Sequence, residues 1–194
     1  MSISNDEATH LLQRHKADLD RLRRMVPNML AVSSIRFIYD RLSKMEPSVS
    51  VEFMFEVDAL TSAIATSYGR LFTQTTGVTK LNESIIPSHL RSIHDQVMSL
   101  RHERYAHHGD HNSLKTLLCV EWDGTKFAVV PQMLIGMWFG ASKDWAPLFA
   151  WMDSYLFQQV QRHTDHLAKV TGQPWAFADG PPPSWNPEDS REVP

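Results

Sequence analysis

The stretch Leu100-Arg101-His102-Glu103-Arg104-Tyr105-Ala106-His107-His108-Gly109-Asp110-His111 packs two arginines and four histidines into twelve residues. Six of the chain's ten histidines fall between His89 and His111, so the imidazoles are concentrated here rather than scattered. Arginine is permanently cationic, and its planar fork of donors matches phosphate oxygens. Histidine titrates near neutral pH and can take or give a proton. The two together suffice for cleaving RNA without a metal. The histidine removes the 2′-hydroxyl proton or protonates the leaving oxygen, and the arginine stabilises charge building on the phosphorane. The 2′-hydroxyl attacks its own neighbouring phosphate and leaves a 2′,3′-cyclic phosphate. DNA lacks that nucleophile and resists.

A helix must position these groups. Pro87 sets a first turn, Leu90, Ile93, Val97 and Leu100 recur at helical spacing, and Gly109 suits the left-handed position past a helix end. The spacing predicts that this helix ends near His107 or His108, where the dipole favours a protonated imidazole by roughly 0.3–1 kcal/mol. Positions seven apart nearly eclipse on a helix, so His94, Arg101 and His108 share a stripe, with Met98, Arg104 and Tyr105 between them. His107 is six residues from Arg101 and points away on an ideal helix. It reaches Arg101 only if the helix unwinds at Gly109 or a second subunit completes the pair. His102 reads as an orienting group and His108 as the competing base. Arg104 and Tyr105 either grip phosphate or stack on a base, or take a solvated or packed role. His94 reads as a satisfied buried histidine. The opposing structural reading makes Arg101 a partner for a carboxylate and His107 a helix cap.

The rest of the chain supplies a scaffold. A first helix over Asn5 to Val26 carries Leu11, Leu12, His15, Leu19, Leu22 and Val26 on one face, capped by Ser4 or Asn5 and stopped by Pro27. A second covers Asn28 to Met45, with Met29, Val32, Ile35, Ile38, Tyr39 and Leu42 inward. A third covers Val51 to Phe72, burying Met54, Val57, Leu60, Ile64 and Tyr68. After the histidine-rich helix the period changes. Leu114 to Trp122 and Thr125 to Val130 read as strands joined at Asp123-Gly124 by a type I′ turn, closed by Pro131. The stretch from Gln132 to Gly140 fits a short helix or a buried loop equally. A last helix starts near Asp144 and buries Leu148, Met152, Tyr155, Leu156, Val160, His163, Leu167 and Val170 before Gly172 and Pro174. One domain over 1–171 is expected, with a hairpin at about 114–130. Residues 172–194 form a proline-rich tail, or a strap laid down through Trp175, Phe177 and Trp185.

Bulk properties exclude several classes. The formal charge of −3 sits in the tail, where Asp179, Glu188, Asp189 and Glu192 face only Arg191, so the body is neutral and any phosphate site is local. A single cysteine, Cys119, forbids an internal disulfide and fits a reducing compartment. The polar N-terminus and the lack of an 18-residue apolar run predict a cytoplasmic protein without membrane association. No cofactor loop or nucleophile elbow is present. His107, His108, Asp110 and His111 offer metal ligands in chemistry but not in any recognised spacing, so no metal is expected.

The segment Ser99-Leu100-Arg101-His102-Glu103-Arg104-Tyr105-Ala106-His107 resembles the signature of HEPN-domain proteins, in which an arginine and a polar residue precede a histidine four to six residues on, often after alanine. Upstream, Ser67-Tyr68-Gly69-Arg70-Leu71-Phe72 resembles an unclassified branch of the same superfamily. The likeness spans about Glu52 to Asp110. It implies an all-α up-and-down bundle of four to five helices, here with one inserted hairpin, commonly homodimeric with two motif copies facing across a cleft. It implies a metal-independent endoribonuclease of toxin or antiviral-defence type, with Arg101 and His107 catalytic. The alternative is a non-catalytic HEPN-like module that binds nucleotide, RNA, or a protein partner such as an antitoxin. In toxin members paired with a minimal nucleotidyltransferase, a tyrosine two residues after the histidine accepts AMP. Gly109 stands there in this chain, so that form of control does not fit.

Overall fold

A computed structural model describes residues 4–106, 114–122, 124–135 and 140–177. Among these residues, five α-helices and one two-stranded antiparallel sheet are present: α1 Asn5–Arg14, α2 Lys16–Ser43, α3 Val51–Leu71, α4 Ser88–Leu100, β1 Leu114–Trp122, β2 Phe127–Ile135 and α5 Ala146–Thr171. The expected bundle of helices with an inserted hairpin is therefore the architecture seen. Helix α2 packs against both α3 and α5, and α4 lies against α3 and α5.

The apolar stripes read for the later helices form one core, whereas the stripe expected on the first helix stays outside it, with Leu12 exposed. Val32 and Ile35 of α2 meet Ile64, Tyr68 and Leu71 of α3, Leu90, Val97 and Leu100 of α4, and Leu148, Met152 and Leu156 of α5. Aromatic rings fill its centre, with Tyr68 5.3 Å from Phe72 and 5.9 Å from Phe149. Local capping agrees with the sequence. Ser4 forms a reciprocal capping box with Glu7, Ser50 accepts from Phe53 N–H, and Gly172 ends α5 in the left-handed conformation at φ 67°. Val170, assigned to the buried face of α5, is instead substantially exposed.

Pro27 does not stop a helix. It lies inside α2, and the break falls at His15 (φ −101°, ψ 22°). A proline in a helix interior frees backbone carbonyls on the preceding turn. Here Thr79 N–H donates to Arg24 C=O at 3.0 Å, while Asn28 Nδ2 donates to Thr79 C=O at 2.6 Å. The loop after α3 thus satisfies a carbonyl beside the proline, and the buried Asn28 holds that loop in place. This long-range contact, which local sequence does not reveal, ties the loop to the turn that holds Pro27.

Two expectations about the hairpin also change. Trp122 pairs with Phe127, so the connecting loop spans 123–126 rather than two residues. Gly124 in that loop has φ 97°. Pro131 does not close β2 but sits within it, opposite Leu118. A proline is tolerated there because both strands of a two-stranded sheet are edges, where an absent N–H need break no ladder bond. The undecided stretch after Gln132 continues β2 to Ile135. Residues 136–139 lie outside the described residues. Further on, Ser142 caps a short 3₁₀ turn, Lys143–Trp145, that leads into α5.

The described residues that flank the hairpin on either side meet α3 at one place. Arg104 and Tyr105, just before it, both bond to Asp58 of α3. Gly140, just after it, lies so close to α3 that an added Cβ would stand 3.0 Å from Val57 Cγ1. Both ends of the excursion are therefore anchored on the same turn of α3. At the other end of the chain, Trp175 Nε1 donates to Thr171 Oγ1 at 2.8 Å, turning the start of the tail back onto α5. Trp185 and the remaining tail lie outside the described residues. Among those that are described, no helix is long and apolar enough to cross a membrane.

Candidate functional site at the end of α4

The α-helical part of α4 ends at Leu100, and Arg101–Ala106 continues as a π-helical turn. Such turns carry i→i+5 bonds, are rare, and occur frequently at functional sites. The seven-residue register that stacks His94 under Arg101 holds as far as Leu100. His107, His108 and His111 lie outside the described residues, as does the group His107, His108, Asp110 and His111 weighed as a metal site. Among the described residues no three His, Cys, Asp or Glu side chains converge as metal ligands.

Arg101 is placed by a glycine. Its side chain crosses Gly69 of α3, where an added Cβ would stand 2.5 Å from Arg101 Cδ and 2.7 Å from Nε. Gly69 is buried within a helix, where it costs about 1 kcal/mol relative to alanine. The gain is a notch in which the arginine lies flat. Arg101 Nη1 also donates to His102 Nδ1 at 3.3 Å. A guanidinium has no acceptor, so His102 Nδ1 accepts this bond. Among the described residues no carboxylate forms an ion pair with Arg101.

Arg104 and Tyr105 do different work. Arg104 Nη2 binds Asp58 Oδ1 at 2.6 Å, and its side chain is only 7% exposed. Tyr105 Oη donates to the same oxygen at 2.8 Å, and the Arg104 guanidinium lies 5.2 Å from the Tyr105 ring. Burial, followed by the hydrogen bond and charge of Asp58, pushes the Tyr105 hydroxyl well above its ordinary range, so it stays protonated and donates. Both side chains are thereby engaged with α3. The residues met on α3 fall in number, from Gly69 to Asp58, as Arg101 gives way to Arg104, so the π turn runs antiparallel to α3. Ser99 Oγ donates to Glu103 Oε1 at 2.6 Å on the exposed side.

His94 is buried, 2.7 Å from Tyr68 Oη through Nδ1 and 4.8 Å from the Phe72 ring centroid. Burial lowers its pKa; the nearby Glu83 and Asp95 carboxylates oppose this and Arg91 adds to it. Burial likewise raises Tyr68, which stays neutral. Because the folded-state pKa of His94 is depressed, its contribution is fully present above the ordinary histidine value of 6.5. It is lost as pH falls through the lowered native value, since unfolding then takes up a proton. Urea unfolding at pH 7.5 and pH 5.5 is expected to show wild type losing stability on acidification. His94→Gln, which keeps an acceptor for Tyr68, is expected to lose less. An equal acid loss in both proteins would count against His94 as the cause.

Two members of this constellation, Gly69 and Asp58, are given no site role by the sequence reading. Gly69 carries a faint signal, since a lone glycine inside a helical pattern marks a close approach. Asp58 gives none, because a carboxylate at a helix surface is ordinary. No family model, curated protein or solved structure matches the chain.

Proposed function

We propose that the protein is a HEPN-like, metal-independent endoribonuclease. In this reading Arg101 stabilises negative charge on the phosphorane, and His107 transfers the proton between the ribose 2′-hydroxyl and the leaving 5′-oxygen. The 2′-oxygen bonds to phosphorus as the P–O5′ bond breaks, leaving a 2′,3′-cyclic phosphate and a 5′-hydroxyl. Support comes first from the contrast between two neighbouring arginines. Arg104 is neutralised by Asp58, whereas Arg101 is seated in the Gly69 notch with no carboxylate partner among the described residues. That leaves its charge available to a phosphate. The motif resemblance and the neutral body, which makes any phosphate site local, point the same way. The same family likeness proposes a cytoplasmic homodimer acting as a toxin or in defence, under control of a protein such as an antitoxin.

The test is cleavage of a generic single-stranded RNA in EDTA. Wild type is expected to yield 2′,3′-cyclic phosphate ends and to spare a 2′-deoxy substrate. Arg101→Ala and His107→Ala are each expected to lower the rate about 100-fold or more. No cleavage by wild type, or undiminished cleavage by both variants, sinks the nuclease reading. RNA binding that depends on Arg101 without cleavage would assign the chain to the non-catalytic HEPN-like class.

A further inference from the structure

The hairpin presents a continuous uncovered apolar face. In an antiparallel ladder, residues directly opposite each other point to the same side, and alternate residues share a face. The register pairs Leu118 with Pro131, Val120 with Val129, and Trp122 with Phe127. All six are apolar and exposed, and Leu118, Val120, Trp122, Phe127 and Val129 are 56–70% exposed. The Trp122 and Phe127 rings contact each other at 4.7 Å between centroids. The other face is mixed, with Glu121 and Gln132 exposed among Leu117, Cys119, Ala128 and Val130. One side of the ribbon is thus patterned for burial, and nothing in the described structure buries it.

We infer that this face is the self-association surface of the protein, packing face to face on the same ribbon of a second copy. At ordinary side-chain areas the exposed parts of the six side chains amount to roughly 600 Å², the upper end for the largest apolar patch on a monomer. Two such faces would bury about 1,200 Å², the threshold for a specific, stable interface. The face carries no charge, so a copy of itself is a complementary partner. The chain's own residues 178–194 are a poor cover, since they hold five prolines, a net charge of −3 and one aromatic residue, Trp185. Edge-to-edge pairing through β2 is opposed by Pro131, which has no N–H to offer. The inference stands on the ribbon alone and is independent of the nuclease reading.

Sedimentation of the full chain over a concentration series tests it. Wild type is expected to dimerise with a Kd on the order of micromolar or tighter. Val120→Lys/Val129→Glu sets opposite charges directly across the ladder, which supports the ribbon while spoiling its face. This variant is expected to raise Kd at least ~100-fold, with unchanged helical circular dichroism. Gln132→Lys, on the opposite face, is expected to dimerise like wild type. A wild type that remains monomeric at roughly 100 µM overturns the inference, whether the face is then covered by the tail or by another partner. A double variant that dimerises as wild type does, or a Gln132→Lys variant that dissociates equally, also overturns it.

Discussion

Gly69→Ala is expected to remove the activity that depends on Arg101 while leaving the fold intact. A Cβ at this position would stand 2.5 Å from Arg101 Cδ and 2.7 Å from Nε, separations that real Cβ atoms do not tolerate. The obstruction is a flexible side chain rather than backbone, so the arginine leaves its notch and α3 need not move. Alanine is the better helix former by about 1 kcal/mol, which offsets the packing lost when Arg101 lifts away. Thermal and urea unfolding should therefore place the variant within about 1 kcal/mol of wild type. Under the proposed nuclease function, the RNA cleavage rate should fall on the order of 100-fold, as for loss of a donor to the transition state. Combining it with Arg101→Ala should add little further loss, because both changes remove the same group. An alanine variant with full activity would show that Arg101 does its work from another position, or does none.

Asp58→Ala has the largest expected effect on stability. It removes the Asp58 carboxylate that pairs with Arg104, whose side chain is 7% exposed, together with the acceptor for the partly buried Tyr105 hydroxyl. A cation and a hydroxyl would be left in a poorly solvated setting, and the cost comes from stranding them rather than from the worth of the original bonds. Asp58 is itself 36% exposed, which lets water relieve part of this. A loss of about 2–3 kcal/mol follows from these opposing effects. Urea unfolding at pH 7 measures it. Asp58→Ala/Arg104→Met removes the stranded charge and should recover part of the loss; a double variant no more stable than the single one would argue against a stranded cation. Because Val57 and Asp58 anchor both ends of the hairpin excursion, Asp58→Ala should also raise proteolytic cleavage between α4 and α5.

The amino-acid sequence by itself determined the scaffold. Helical periodicity identified the stripes that become the core, from Val32 and Ile35 to Leu148 and Leu156, because burial at 3.6-residue spacing is a local pattern. Alternation and turn residues identified the hairpin for the same reason. Its turn length and the extent of β2 were not legible, since pairing register is set between strands. Pro27 misled for a related reason: the helix runs through it, and the turn that holds it is tied to Thr79, 52 positions away in the chain. The site divides in the same manner. The sequence put Arg101, His102, Arg104 and Tyr105 in one segment, since adjacency is written in the chain. Only the tertiary structure separated their roles. Arg104 and Tyr105 are held by Asp58, and Arg101 is laid across Gly69, because a charged side chain's role is decided by what a neighbouring helix presents to it.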